Sequence, residues 1–190
     1  LGQTATSVPK LAERLDDAVT SLNVMWTILA GFLVFFMQAG FALVETGFTR
    51  AKNVAHTMMM NMMVFCIGAL GYWLGGFAFQ FGGVNYAYPD GWSFAPTTLG
   101  AWVDASGRPL LAKMIHIGPW GLLGWDGFML RGVPFGILTF FLFQMVFMDT
   151  AATIPTGAMA ERLKFSGFVL MGLWASMVAY PPVSYTHLRA

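Results

Sequence analysis

Residues Phe140–Lys164 read FFLFQMVFMDTAATIPTGAMAERLK, and this stretch concentrates the side chains that could do chemistry. Asp149 stands in the middle of a run that is otherwise apolar enough to cross a bilayer. A carboxylate at the bilayer centre costs at least ~2.5–3.5 kcal/mol on insertion scales, so it must face protein or water. Thr150 and Thr153 carry hydroxyls that could donate to it; bracing of a helix bundle and a transport role fit it equally. Phe143 and Phe147 are four residues apart and stack on one helix face. Facing a pore, such a pair could gate it and attract a small cation through the ring quadrupole. By spacing alone the pair fits packing or lipid contact as well. Gln144 lies one position round from Phe143. Pro155 cannot donate to the carbonyl of Ala151, so the helix is expected to bend or break there. Thr153, Thr156 and Gly157 suit that irregularity. Glu45 closes another apolar run, with Arg50 and Lys52 just behind it. It would snorkel or pair with one of those bases; a proton or substrate role is the alternative.

Enzymatic signatures are lacking: there is no P-loop, HExxH, nucleophile elbow or GxGxxG. The expectation is therefore a protein that is not an enzyme, with no cofactor and no metal. A single cysteine, Cys66, excludes an intrachain disulfide and a cysteine metal cluster, and its apolar surroundings predict an inert buried thiol. The net charge of +1 argues against a nucleic-acid partner.

The elements that must position these residues are membrane helices. Of the 190 residues, 57% are hydrophobic and 10% charged, with a mean hydropathy of +0.64. A soluble domain carries about 25% charged residues. The lipid bilayer is thus the expected solvent, and the fold class all-α, a polytopic membrane helix bundle. Residues 1–21 read as a polar N-terminal segment with a surface helix at LAERLDDAVTSL. A membrane domain follows over 22–182, with spans near 23–46, 56–80, 134–159 and 165–183. Each has the ~20 apolar residues a bilayer requires. Gly68, Gly71 and Gly75 fall on one face of the second span, where small residues let a neighbouring helix approach. His56 and Asn61 lie near its cytoplasmic end, and a lone histidine there reads as a hydrogen-bonded structural residue and not a ligand. The long connection 82–132, with Trp92, Trp102, Trp120 and Trp125, is expected to hold short interfacial helices or a cap. Residues 183–190 break the pattern and read as a non-native tail.

Arg50 with Lys52, and Arg162 with Lys164, close short links separated by an even number of crossings. Both links should be cytoplasmic, with the N-terminus and the 82–132 loop outside.

Three stretches resemble the ammonium transporter family, the Amt/Mep/Rh proteins: FFMQAGFALVETGFTRAKN (Phe35–Asn53), IGALGYWLGGFAFQFG (Ile67–Gly82) and FQMVFMDTAATIPTGAMAERLKFS (Phe143–Ser166). GAMAERLKFS is the most specific, and the likeness runs over roughly 22–181. It implies an eleven-helix fold of two inverted repeats in the plasma (inner) membrane, assembled as a homotrimer with one pore per subunit. Ammonium would be recruited by aromatic faces and a hydroxyl, pass a phenylalanine gate, and cross an apolar pore lined by two histidines as ammonia, its proton carried separately. Residue by residue, Phe143 matches the vestibule aromatic and Phe147 one gate phenylalanine. Asp149 stands where many relatives carry a small residue and inherits no role. A PII-type regulatory protein is a candidate partner. The pore histidines and the second gate phenylalanine find no match, so the resemblance implies an N-terminal fragment that does not conduct alone. The alternative reading is an ammonium-sensing input domain fused to a signalling module.

Overall fold

A computed structural model describes residues 7–82, 114–117, 120–133 and 135–187. Helix α1 spans Ser7–Phe48. A single 3-10 turn, Ala51–Asn53, leads into α2, Val54–Gly71. A π-turn at Tyr72–Gly76 carries α2 into α3, Phe77–Phe81. Strands β1 (Met114–Ile117) and β2 (Trp120–Gly124) form an antiparallel hairpin. Helix α4 covers Phe135–Met159 and α5 Phe165–Trp174; a second π-turn, Ala175–Ala179, joins α5 to α6, Tyr180–His187.

Four of these helical stretches are long and apolar enough to cross a membrane: Lys10–Phe48, Ala51–Phe81, Ile137–Met159 and Phe165–Ser184. They match the four expected spans, because charge-free runs must satisfy their backbone internally and only a helix does so within one segment. The details differ in four places. The expected surface helix and first span are one continuous helix, since nothing between Ala12 and Met25 breaks it. Pro155 does not interrupt α4, which continues to Met159. The described part of the 82–132 connection contains a hairpin and a 3-10 turn at Phe128–Leu130 rather than interfacial helices. Helix α6 carries the fourth span past its expected end at 183. Trp92, Trp102 and the other residues of 83–113 lie outside the described residues.

The core sits between α2, α4 and α5, where Met60, Val64, Met148, Ala152 and Phe168 are buried together with Tyr72 and Phe77. Tyr72 stacks on Phe141 at 5.8 Å, and Phe141 meets Phe77 edge-on at 5.3 Å. Glycines set the closest approaches, as the spacing on the second span predicts. A Cβ on Gly71 would strike the Ser176 hydroxyl, and one on Gly76 would strike the Ser176 carbonyl. The two π-turns therefore pack against each other across these glycines. Their extra residue per turn lets the backbones meet without breaking either helix. Cys66, expected buried, is exposed on the outward face of α2. An apolar surrounding sequence does not distinguish a core face from a lipid face.

Candidate functional site

The aromatic pair forms. Phe143 and Phe147 lie with ring centroids 4.9 Å apart and planes tilted by 53°. Phe147 is 40% exposed, while its neighbours Val146 and Met148 are buried at 2% and 0%. The pair thus lines an outward face of α4 and not the α2–α4–α5 core. Gln144 is half-buried beside it.

Asp149 is buried at 2%. Thr150 and Thr153, expected to donate to it, do not. The Thr150 hydroxyl bonds the Val146 carbonyl at 2.9 Å, and that of Thr153 lies 2.8 Å from the Asp149 carbonyl and 3.0 Å from Gln38 Oε1. Helical threonines reach the carbonyl four residues back more readily than a side chain in the same turn. Neither Asp149 carboxylate oxygen has a hydrogen-bond partner among the described residues. The carboxylate instead packs on Gly68 of α2, filling the space a side chain there would need.

Glu45, expected to snorkel or pair with a nearby base, is bound otherwise. It does not reach Arg50 or Lys52. Asn61 Nδ2 donates to Glu45 Oε2 at 2.8 Å, and the Thr156 hydroxyl donates to the same carboxylate. Gln38 Nε2 in turn donates to the Asn61 carbonyl at 3.0 Å. A polar cluster of Gln38 and Glu45 on α1, Asn61 on α2, and Thr153 and Thr156 on α4 therefore ties three helices together inside the membrane. The sequence signal for Gln38 is a lone glutamine inside the apolar run FFMQAGF. Asn61 is fully buried.

Arg50 pairs with Glu161 across 111 residues of sequence. Its guanidinium meets Glu161 Oε2 at 2.7 Å, and its backbone N–H donates to Oε1 at 2.9 Å. Glu161 adopts φ +64, the left-handed turn that ends α4, and this backbone aims the carboxylate at the α1–α2 link. The Arg50 side-chain bond, then that of Asn53, then the Arg50 N–H hold the Glu161 carboxyl well below the usual range, at about 2. Glu161 in return raises the Arg50 guanidinium. The two short basic links therefore share one end of the bundle. Between them opens a cavity of about 540 Å³, with Glu45, Phe48, Arg50, Gly157, Glu161 and Arg162 in its walls. No group of three or more metal-ligating side chains occurs among the described residues.

Four apolar spans with polar side chains bonded between them define a polytopic α-helical membrane protein. A family model described as Ammonium Transporter Family matches residues 25–189. The chain belongs to that family. It is 36% identical over 181 residues to the ammonium transporter Amt2 of Archaeoglobus fulgidus, covering 94% of this chain and 31% of the relative. It is 37% identical over 164 residues to the putative ammonium transporter sll0537 of Synechocystis, covering 86% and 24%. A solved structure described as a Sensor Amt Protein superposes with a TM-score of 0.66 at 30% identity, over 87% of this chain and 34% of that one. The chain spans about a third or less of the length of each.

Proposed function

We propose that this chain is the N-terminal part of an ammonium channel-type transporter, with 22–182 as its membrane domain. Family membership and the curated relatives named as ammonium transporters support the substrate. The observation that carries the reading is the Phe143/Phe147 pair, in ring contact on α4 with Phe147 turned outward. An aromatic face open to a pathway replaces part of a small cation's hydration through its quadrupole, while apolar walls exclude hydrated metal ions. In this reading Phe143 and Gln144 line the outer approach and Phe147 forms half of the gate. Asp149, Thr153 and Pro155 shape the helix that carries them, and Glu45 ties its inner end to α1 and α2. Catalytic turnover has no part in this.

The shared end of the two basic links is cytoplasmic by the positive-inside rule, which puts the N-terminus outside. The full protein is an eleven-helix homotrimer in the plasma (inner) membrane, with a PII-type protein as its regulatory partner. Methylammonium uptake by cells carrying the full-length protein tests the reading. Phe147→Ala should change flux or selectivity against other monovalent cations. Unchanged flux and selectivity would remove Phe147 from the pathway.

A second reading, an ammonium-sensing input domain, draws on the likeness to the Sensor Amt Protein. A signalling domain in the downstream reading frame, with ammonium changing its output and no methylammonium accumulating, would favour it.

A further inference from the structure

Past the charged first turns of α1, the described spans hold two acids, Glu45 on α1 and Asp149 on α4. Glu45 accepts hydrogen bonds from Asn61 on α2 and Thr156 on α4, and it borders the cavity at the end of the bundle. Asp149 has neither. It is 2% exposed, and no group among the described residues donates to either of its carboxyl oxygens. Thr150 and Thr153, the hydroxyls nearest to it in sequence, turn to carbonyl and amide oxygens. A carboxylate is an acceptor only, so it needs donors or a cation. Buried with neither, a charged group loses its hydration and gains nothing in return, and it neutralises instead.

No countercharge stands at its level. Residues 18–49, 57–82, 135–159 and 165–184 contain no Lys, Arg or His. On α1, Gly31 meets the Phe143 backbone and Gln38 meets Thr153, so Asp149 lies level with the uncharged stretch between them. The charges of 10–17 begin about four turns before Gly31, and Glu45 bonds Thr156 about two turns beyond Asp149. On α2, His56 is about three turns from Gly68, and Cys66 faces outward. Tyr180 meets Tyr72, which stacks on Phe141 about two turns before Asp149. Helix α5 and its π-turn hold no ionisable side chain, and α4 holds no other. Helices outside this chain do not supply the missing partner either. The carboxyl is sealed by this chain's own residues, with Gly68 against one oxygen, and an added helix would have to displace α2 to reach it. That contact has room for a proton and not for a cation with its ring of oxygen ligands.

We propose that Asp149 is a proton-binding site within the membrane: its side chain is held as the neutral acid while α4 is packed on Gly68. Ionisation then requires α4 to move off α2 and admit water. Burial and the missing donors carry this, independently of any transport role.

The test is infrared difference spectroscopy of the full protein in bilayers, with Asp149→Asn as the reference. At neutral pH the parent should show one protonated-carboxyl C=O stretch that Asp149→Asn lacks, and the band should shift in heavy water. Asparagine is neutral and close in shape to the neutral acid, so the variant should fold in parental amounts. Raising the pH should lower the melting temperature of the parent relative to Asp149→Asn, because only the parent has that proton to lose. Carboxylate stretches lost in place of the acid band overturn the assignment, whether a metal ion or buried water balances the charge. A melting difference that stays constant as pH rises overturns the coupling to packing. If Asp149→Asn does not fold, Asp149→Glu keeps the acid, and the acid band should move without vanishing. An unchanged acid region in Asp149→Glu overturns the assignment equally.

Discussion

The carboxylate of Asp149 on α4 rests against Gly68 of α2, occupying the space that any side chain at position 68 would fill. The acid and the glycine are a matched pair. The carboxyl is buried at 2%, and the missing Cβ is what makes room for it. Gly68→Ala should therefore destabilise the bundle by about 1–3 kcal/mol, the usual cost of overpacking a filled core. Asp149→Ala made in the same protein should restore most of that loss, with a coupling energy within the ~0.5–3 kcal/mol range of contacting residues. Thermal unfolding in detergent of the two single variants and the double variant measures the coupling. Strict additivity would separate the pair.

The Glu45 carboxylate gathers donors from two other helices, Asn61 on α2 and Thr156 on α4. Asn61→Leu removes a donor and takes the amide from a fully buried position. It should cost about 1–3 kcal/mol, the penalty of leaving a buried polar partner unmade. Arg50→Gln should leave the Glu45 cluster intact, because Arg50 engages Glu161 instead. The solvent accessibility of a cysteine placed at Thr57 would report separation of α1 from α2; it should rise in Asn61→Leu and not in Arg50→Gln.

The Arg50–Glu161 clasp sets a pH dependence at one end of the bundle. The Glu161 carboxyl is depressed in the folded protein to about 2, below the 4.5 of a free glutamate. A depressed acid contributes stability that is fully present above the unfolded value and is lost as pH falls through the folded one. The clasp should hold at neutral pH and weaken as pH drops from 4.5 toward 2. Both partners reach solvent, so the contribution is modest and screened by salt. Melting temperatures of the parent protein and Glu161→Gln should differ at neutral pH and low salt and converge as pH falls through that window. A constant difference across it would assign the effect to something other than the ion pair.

Phe147 and Asp149 are two residues apart on α4 and should behave in opposite ways. Phe147 is outward and, in the proposed pathway, would bear on flux; Asp149 is buried and would bear on stability. In the full-length protein, Phe147→Ala should alter methylammonium uptake with little change in the amount of folded protein if the proposed pathway holds. Asp149→Ala should alter the amount of folded protein with little change in flux per folded molecule. Uptake normalised to surface-labelled protein separates the two. A flux defect confined to Asp149→Ala would move the functional role to the acid.

The four spans were readable from charge-free runs, because a bilayer penalises charge whatever the tertiary arrangement. The family was readable from GAMAERLKFS and the flanking helices. The shared side of the two basic links followed from counting crossings, and the Arg50–Glu161 contact agrees with it. The Phe143–Phe147 contact followed from helical geometry alone. What each polar side chain binds did not follow. Glu45 passes over the bases five and seven residues away for partners 16 and 111 residues away. Asp149 ignores the threonines of its own turn, which are satisfied by backbone carbonyls. Cys66 faces outward from the stretch 62–70 of α2, which is apolar all round. The physical reason is common to all three. In a membrane helix both the core face and the lipid face are apolar, so periodicity does not tell them apart, and small residues on the neighbouring helix decide which polar groups meet. Charge-free runs and the GAMAERLKFS stretch were enough to place four helices long and apolar enough to cross a membrane and to give the family. Only the packing of α1, α2 and α4 decided which face of each helix looks inward, and so which of its polar residues are partnered.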